Sequence, residues 1–211
     1  MNRKIGELAI LAAFGTAAAM ATTVYSNTTT DTGDTVFYSV NAASELGDQI
    51  LLGGTNRVAT SAMVQFFNNG SAGTFDATLR LFQVGSPVGA QIGGNFVVSG
   101  IVSAGLDVIN VTFSSLNVLV PNNLIFTLSV GNLLTAGTMD LGVDMFEPPT
   151  IGSSDNTFMI ANQSGYKSLT TNNENVYFQL AADPVPEPAS FALLGGGMVL
   201  LLLARKKFRK A

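Results

Sequence analysis

Polar and apolar residues alternate along most of the middle of this chain. Val36, Tyr38 and Val40 share one face of a first run, and Val58, Ala62, Val64 and Phe66 do so along residues 57–67. Phe75, Ala77, Leu79 and Leu81 then face away from Asp76, Thr78 and Arg80. The period of two sharpens further on, where Ile109, Val111 and Phe113 are set against Asn110 and Thr112, and Leu124, Phe126, Leu128 and Val130 against Thr127 and Ser129. Met139, Leu141, Val143 and Met145 alternate with Asp140, Gly142 and Asp144, and Val176, Phe178 and Leu180 close the series. Successive side chains of a strand point to opposite faces, so each run predicts a strand with one face buried.

Turn-forming residues separate these runs, as in Gly53-Gly54-Thr55-Asn56, Asn68-Asn69-Gly70-Ser71, Pro121-Asn122-Asn123 and Pro148-Pro149. No stretch between the two ends carries an apolar stripe of helical period. About eight to ten short strands at this spacing predict an all-β domain, an antiparallel β-sandwich of jelly-roll-like type, over residues 35–182. Residues 22–34, rich in Thr and Asp and without apolar period, read as a flexible leader.

The hydrophobic pattern changes at both ends. Arg3 and Lys4 precede an apolar run from Leu8 to Ala21, and Ala19-Met20-Ala21 supplies the small-x-small pattern of a secretory cleavage site. Residues 1–21 are therefore expected to be a signal peptide cut after Ala21, with Ala19 the second choice. At the other end a Pro-rich linker, residues 183–190, leads into an uncharged run at 191–204 and a basic tail at 205–211. The run is 14 residues. As a helix it spans about 21 Å, short of the roughly 30 Å of a bilayer core, which suits a transient membrane segment. Arg205, Lys206, Lys207, Arg209 and Lys210 act as a stop-transfer tail on the cytoplasmic side, leaving the body outside.

Pro186-Glu187-Pro188, a short hydrophobic helix and a basic end, in that order, resemble the PEP-CTERM sorting signal of bacterial envelope proteins. The resemblance implies an exosortase as partner, cleavage near Pro186, Glu187 and Pro188, and membrane tethering only until that cut. The expected location is accordingly the cell envelope, the surface or the medium.

Charge and composition narrow what the body can do. From residue 27 to 183 three cations, Arg57, Arg80 and Lys167, face twelve acids, a net charge of −9. Such a surface repels phosphate backbones, so nucleic acid is not an expected partner. The chain has no His and no Cys, which excludes Ser-His-Asp triads, thiol nucleophiles and His-ligated zinc. A two-carboxylate glycosidase stays open in principle, but Asp140 and Asp144 on one strand would lie roughly 13 Å apart, too far for that pair. No catalytic residue, cofactor or metal is assigned. Asp31 with Asp34, and Asp140, Asp144 with Glu147, offer oxygens to calcium, yet neither group has the spacing of a calcium loop.

Tyr166, in Asn162-Gln163-Ser164-Gly165-Tyr166-Lys167, is the candidate sugar contact, stacking from an exposed loop. Two function classes follow: an exported, non-catalytic surface or extracellular-matrix (biofilm) protein, and alternatively a carbohydrate-binding module with extracellular polysaccharide as its partner.

Overall fold

A computed structural model describes residues 20–39, 43–135, 138–162, 164–170 and 174–185. Among them thirteen strands and no helix are found. In chain order they begin β1 (Thr22–Asn27), β2 (Asp31–Phe37), β3 (Glu45–Leu51), β4 (Val58–Asn68), β5 (Gly73–Val84), β6 (Val88–Ser103) and β7 (Asp107–Leu119). They continue with β8 (Asn123–Thr135), β9 (Leu141–Phe146), β10 (Ser153–Asn162), β11 (Gly165–Thr170), β12 (Asn175–Val176) and β13 (Phe178–Asp183). All pairings are antiparallel, in two sheets.

The second sheet is the simpler, in the order β11-β10-β3-β8-β5-β6. The first is built around β4. Along one edge β4 pairs with β7; along the other it pairs with β13 through Val64 and then with β9 from Phe66. The sheet forks there, with β1 flanking β13, and β2 and β12 flanking β9. Asn27, at the end of β1, is fully buried in the fork. Its Nδ2 donates to the carbonyls of Phe146 at 3.0 Å, Asn175 at 3.1 Å and Val176 at 3.3 Å.

The alternation read from the sequence sets which face each strand buries. Phe75, Ala77, Leu79 and Leu81 of β5 are fully buried, as are Val64 and Phe66 of β4 and Leu124, Phe126 and Leu128 of β8. They meet residues of the opposite sheet in one apolar layer. Phe126 of the second sheet stacks on Phe178 of the first with ring centroids 3.8 Å apart, and Phe66 meets Phe75 edge-on at 5.6 Å. Tyr38 crosses the same layer to donate from its hydroxyl to the Leu128 carbonyl at 2.9 Å.

One expectation is corrected. Residues 22–34 are no leader: β1 and the first part of β2 occupy them, and the folded body begins at Thr22 rather than residue 35. Val24 and Tyr25 are buried in the core, but two apolar residues between Thr and Asn are too few to show a period. Val40, residues 1–19 of the expected signal peptide, and the expected hydrophobic helix at 191–204 lie outside the described residues. No helix among the described residues is long and apolar enough to cross a membrane.

The packing makes a direct prediction. Phe126→Ala removes the ring at the centre of the inter-sheet layer and should cost about 3–5 kcal/mol. Val97→Ala, at an exposed position of β6, should stay within about 0.5 kcal/mol. Urea unfolding of both variants checks the contrast.

Candidate functional site

The outer face of the second sheet carries a polar cluster on an apolar bed. Leu46 and Ile50 of β3 enter the core, so Glu45 at the head of that strand points to the other face. Three strands deliver partners to its carboxylate. Arg80 Nη2 from β5 lies 2.6 Å from Oε1, Thr127 Oγ1 from β8 donates to Oε2 at 2.5 Å, and the Tyr166 hydroxyl from β11 donates to Oε2 at 2.7 Å. Beneath them Phe82, Ile125 and Met159 form a second, small buried cluster, with Val88 and Tyr166 packed against it.

Tyr166 therefore belongs to a strand and is half buried, where an exposed loop was expected. Its ring meets Phe82 edge-on at 5.6 Å. Burial, and then the hydrogen bond and charge of Glu45, push its phenol up to about 12, so it stays protonated as a fixed donor. An ion pair with two further donors on one carboxylate can orient side chains, but it contains no activated nucleophile. Glu45, Arg80 and Thr127 were not singled out in the sequence. The available signal was the scarcity of cations, since each of only three in the body invites a search for its acid.

Asp48 is the unusual carboxylate. It shares the inward phase of Leu46 and Ile50 and is 1% exposed. Burial raises its pKa well above the usual carboxylate range, against the opposing pull of the Gln49 and Val176 amides and the Ser154 hydroxyl. Tyr25 lies close enough that burial, and then the Asp48 charge, raise its phenol as well. Asp48 Oδ2 and the Tyr25 hydroxyl are buried with no hydrogen-bond partner, which favours the neutral acid.

The acidic residues marked for calcium are partly regrouped. Asp144 is buried on β9, where Thr35 donates to it at 2.8 Å and burial, with Asp31 nearby, raises its pKa. Glu174 is raised too, by burial and by the neighbouring Asp34 and Glu147. Asp140 stands apart, bound to Ser39. Among the described residues no three His, Cys, Asp or Glu side chains come together as a metal site. Two open recesses of about 300 Å³ lie near these acids, one bounded by Tyr38, Met139 and Asp140, the other by Glu147, Ser154 and Asn175.

The targeting residues fall at the margins. Ala21 is exposed, and the expected cut after it falls immediately before β1. Ala19, the Pro186-Glu187-Pro188 motif and Arg205, Lys206, Lys207, Arg209 and Lys210 lie outside the described residues. β13 ends at Asp183, inside the range expected as linker. What the described residues define is a β-rich body whose last strand runs directly into the tail. The family model of the PEP-CTERM protein-sorting motif matches residues 184–210. The chain thus carries an exosortase-directed sorting signal and is an exported protein addressed to the cell envelope or surface. No curated protein and no solved structure matches it.

The buried acids give a pH dependence with a definite sign. A carboxyl whose pKa is raised on folding binds its proton more tightly in the native state, so its contribution grows as pH falls towards the unfolded value near 4. Asp48 and Asp144 are both raised. The folded body should therefore gain stability from pH 7.5 to about 5, with a slope of up to about 1.4 kcal/mol per pH unit for one fully coupled group. Asp76 and Asp107 are lowered, and their contribution is lost only below about pH 4. Tm measured across the window should rise on acidification, and Asp48→Asn should flatten the rise. A Tm that falls from pH 7.5 to 5 contradicts this reading of the buried acids.

Proposed function

We propose that this chain is a non-catalytic surface or extracellular-matrix component, built on a jelly-roll-like sandwich and released to its final site by an exosortase. The observation that carries the reading is the junction between body and signal. β13 ends at Asp183 and the matched sorting motif begins at residue 184. The enzyme would receive one folded domain on a short leash, tethered by residues 191–204 and the basic tail until cleavage near Pro186-Glu187-Pro188. Export would begin with a signal peptide cut after Ala21, freeing β1 as the mature N-terminus.

A non-catalytic role is supported by the chemistry of the side chains present. The body lacks His and Cys. Its polar cluster around Glu45 is an ion pair with two further hydroxyl donors on the same carboxylate. The alternative reading, a carbohydrate-binding module, needs an aromatic face open to sugar. Tyr166 has its hydroxyl on Glu45 and packs on Phe82, which favours a packing role.

Intact mass of the protein from envelope and medium fractions of its host tests the sorting part. The wild type should lack residues 1–21 and everything after the Pro-Glu-Pro region. A variant with Pro186, Glu187 and Pro188 all changed to Ala should keep its tail. A wild-type protein that retains residues 191–211 refutes exosortase processing. Glycan binding by the folded body, lost in Tyr166→Ala but kept in the core-facing variant Val64→Ala, would transfer the body to the carbohydrate-binding class.

A further inference from the structure

Charge is distributed unevenly over the body. Between Arg80 and Asp140 the chain carries a single charged residue, Asp107, although the span from residue 27 to 183 has a net charge of −9. That uncharged tract contains β6 and β7, which form neighbouring free edges of the two sheets: β6 pairs only with β5, and β7 only with β4, among the described residues. Asp107 itself is tied into the turn before β7, accepting from Ser103 Oγ and the Ala104 amide.

The two edges differ. The β5–β6 ladder is broken at three places, and Gly93 and Gly100 take positive φ. Bulges of this kind twist an edge away from would-be partners. The β4–β7 ladder runs unbroken from the Asn68–Asp107 pair to the Ser61–Ser114 pair and is broken once beyond it, where Ser115 and Asn117 take positive φ; β7 holds no Pro, Lys or Arg. Its outward face shows Val108, Asn110, Thr112 and Ser114. Large apolar residues are exposed at both ends, Leu106 at 71% just before the straight run and Val108 at 53% as its second residue, Leu119 at 63% after it.

We propose that two copies of this chain join through β7, edge to edge and antiparallel about a two-fold axis, so that the first sheet continues from one copy into the next. The occupant of the edge is a second copy for two reasons. Antiparallel pairing sets the Leu106 and Val108 end of one strand against the Leu119 end of the other, apolar against apolar. It also brings strongly acidic bodies together along a strand pair, β4 and β7, whose only acid is Asp107, with the two Asp107 residues held at opposite ends of the joint. A two-fold joint of this type is self-complementary and closes at the dimer. The inference does not rest on the sorting reading.

The chain has no cysteine, so introduced ones report without background. In the full chain expressed in its host, Val108→Cys, Asn110→Cys, Thr112→Cys, Ser114→Cys and the double variant Asn110→Cys/Thr112→Cys are oxidised and run on non-reducing gels. Ser168→Cys on β11, exposed at the far edge of the second sheet, is the control. A disulfide needs β-carbons roughly 4 Å apart, so the variant nearest the two-fold should yield at least about fivefold more dimer than the control, with yield falling on either side. Adding Leu106→Lys and Leu119→Lys, at the two exposed apolar ends, to that variant should bring its yield down to the control. Equal yields at all positions, or none above Ser168→Cys, overturn the proposal, as does a dimer that survives both lysines.

Discussion

The body depends on one apolar layer between two sheets. With no cysteine to staple it, burial has to supply the stability, and at this length it can. The layer is continuous because each sheet turns its alternate residues inward. The stacked pair Phe126 and Phe178 joins the sheets near its centre, and Phe66 and Phe75 join them again through β4 and β5. One carboxyl, Asp48, shares the interior with no ion pair among the described residues to compensate it, and burial raises its pKa well above the usual carboxylate range, which favours the neutral acid there. The only ion pair found among the described residues, Arg80 with Glu45, lies on the opposite face of the same sheet.

A second constraint comes from the fork in the first sheet. Where β4 changes neighbours from β13 to β9, a wedge of backbone carbonyls is left without a regular ladder. Asn27 fills that wedge with one amide nitrogen directed at three carbonyls from two strands. The residue that joins the branches thus comes from the strand nearest the N-terminus of the folded body, so β1 is structural and not a loose end. Residues 27, 146 and 175 are far apart in sequence, and the fork therefore closes only when the whole chain is in place.

Much of the fold was legible because half-buried strands write a period of two. β4, β5, β7, β8 and β13 showed it, and most of the expected residues are buried; at the start of β4, beyond a register shift, Ala59 is buried in place of Val58, and Val130 of β8 is only partly buried. The strands that escaped did so for identifiable reasons. β3 carries Asp48 on its inward phase, so a charge interrupts the pattern where an apolar residue would extend it. β10 buries both faces, Phe158 and Ile160 in the core and Met159 against the outer cluster, so it reads as a continuous apolar run. β6 is exposed over much of both faces and has no alternation to read. Asp144, assigned to a solvated face by its phase, is buried because β2 covers that edge of β9.

The two ends were more legible than any site in the body, and the reason is physical. A sorting signal is recognised as an extended or helical segment, so its chemistry is ordered along the chain: a proline break, an apolar run, a cluster of cations. The Glu45 cluster is assembled from four strands and residues 45, 80, 127 and 166, with no local trace. The free edge of β7 is harder still. Its sequence resembles that of any half-buried strand, and only the order of strands in the sheet decides that β7 ends a sheet while β8, which carries no charge at all, lies inside one. Whether an uncharged strand is core or interface is therefore a question of topology, and here topology leaves the least charged stretch of an acidic protein facing outward.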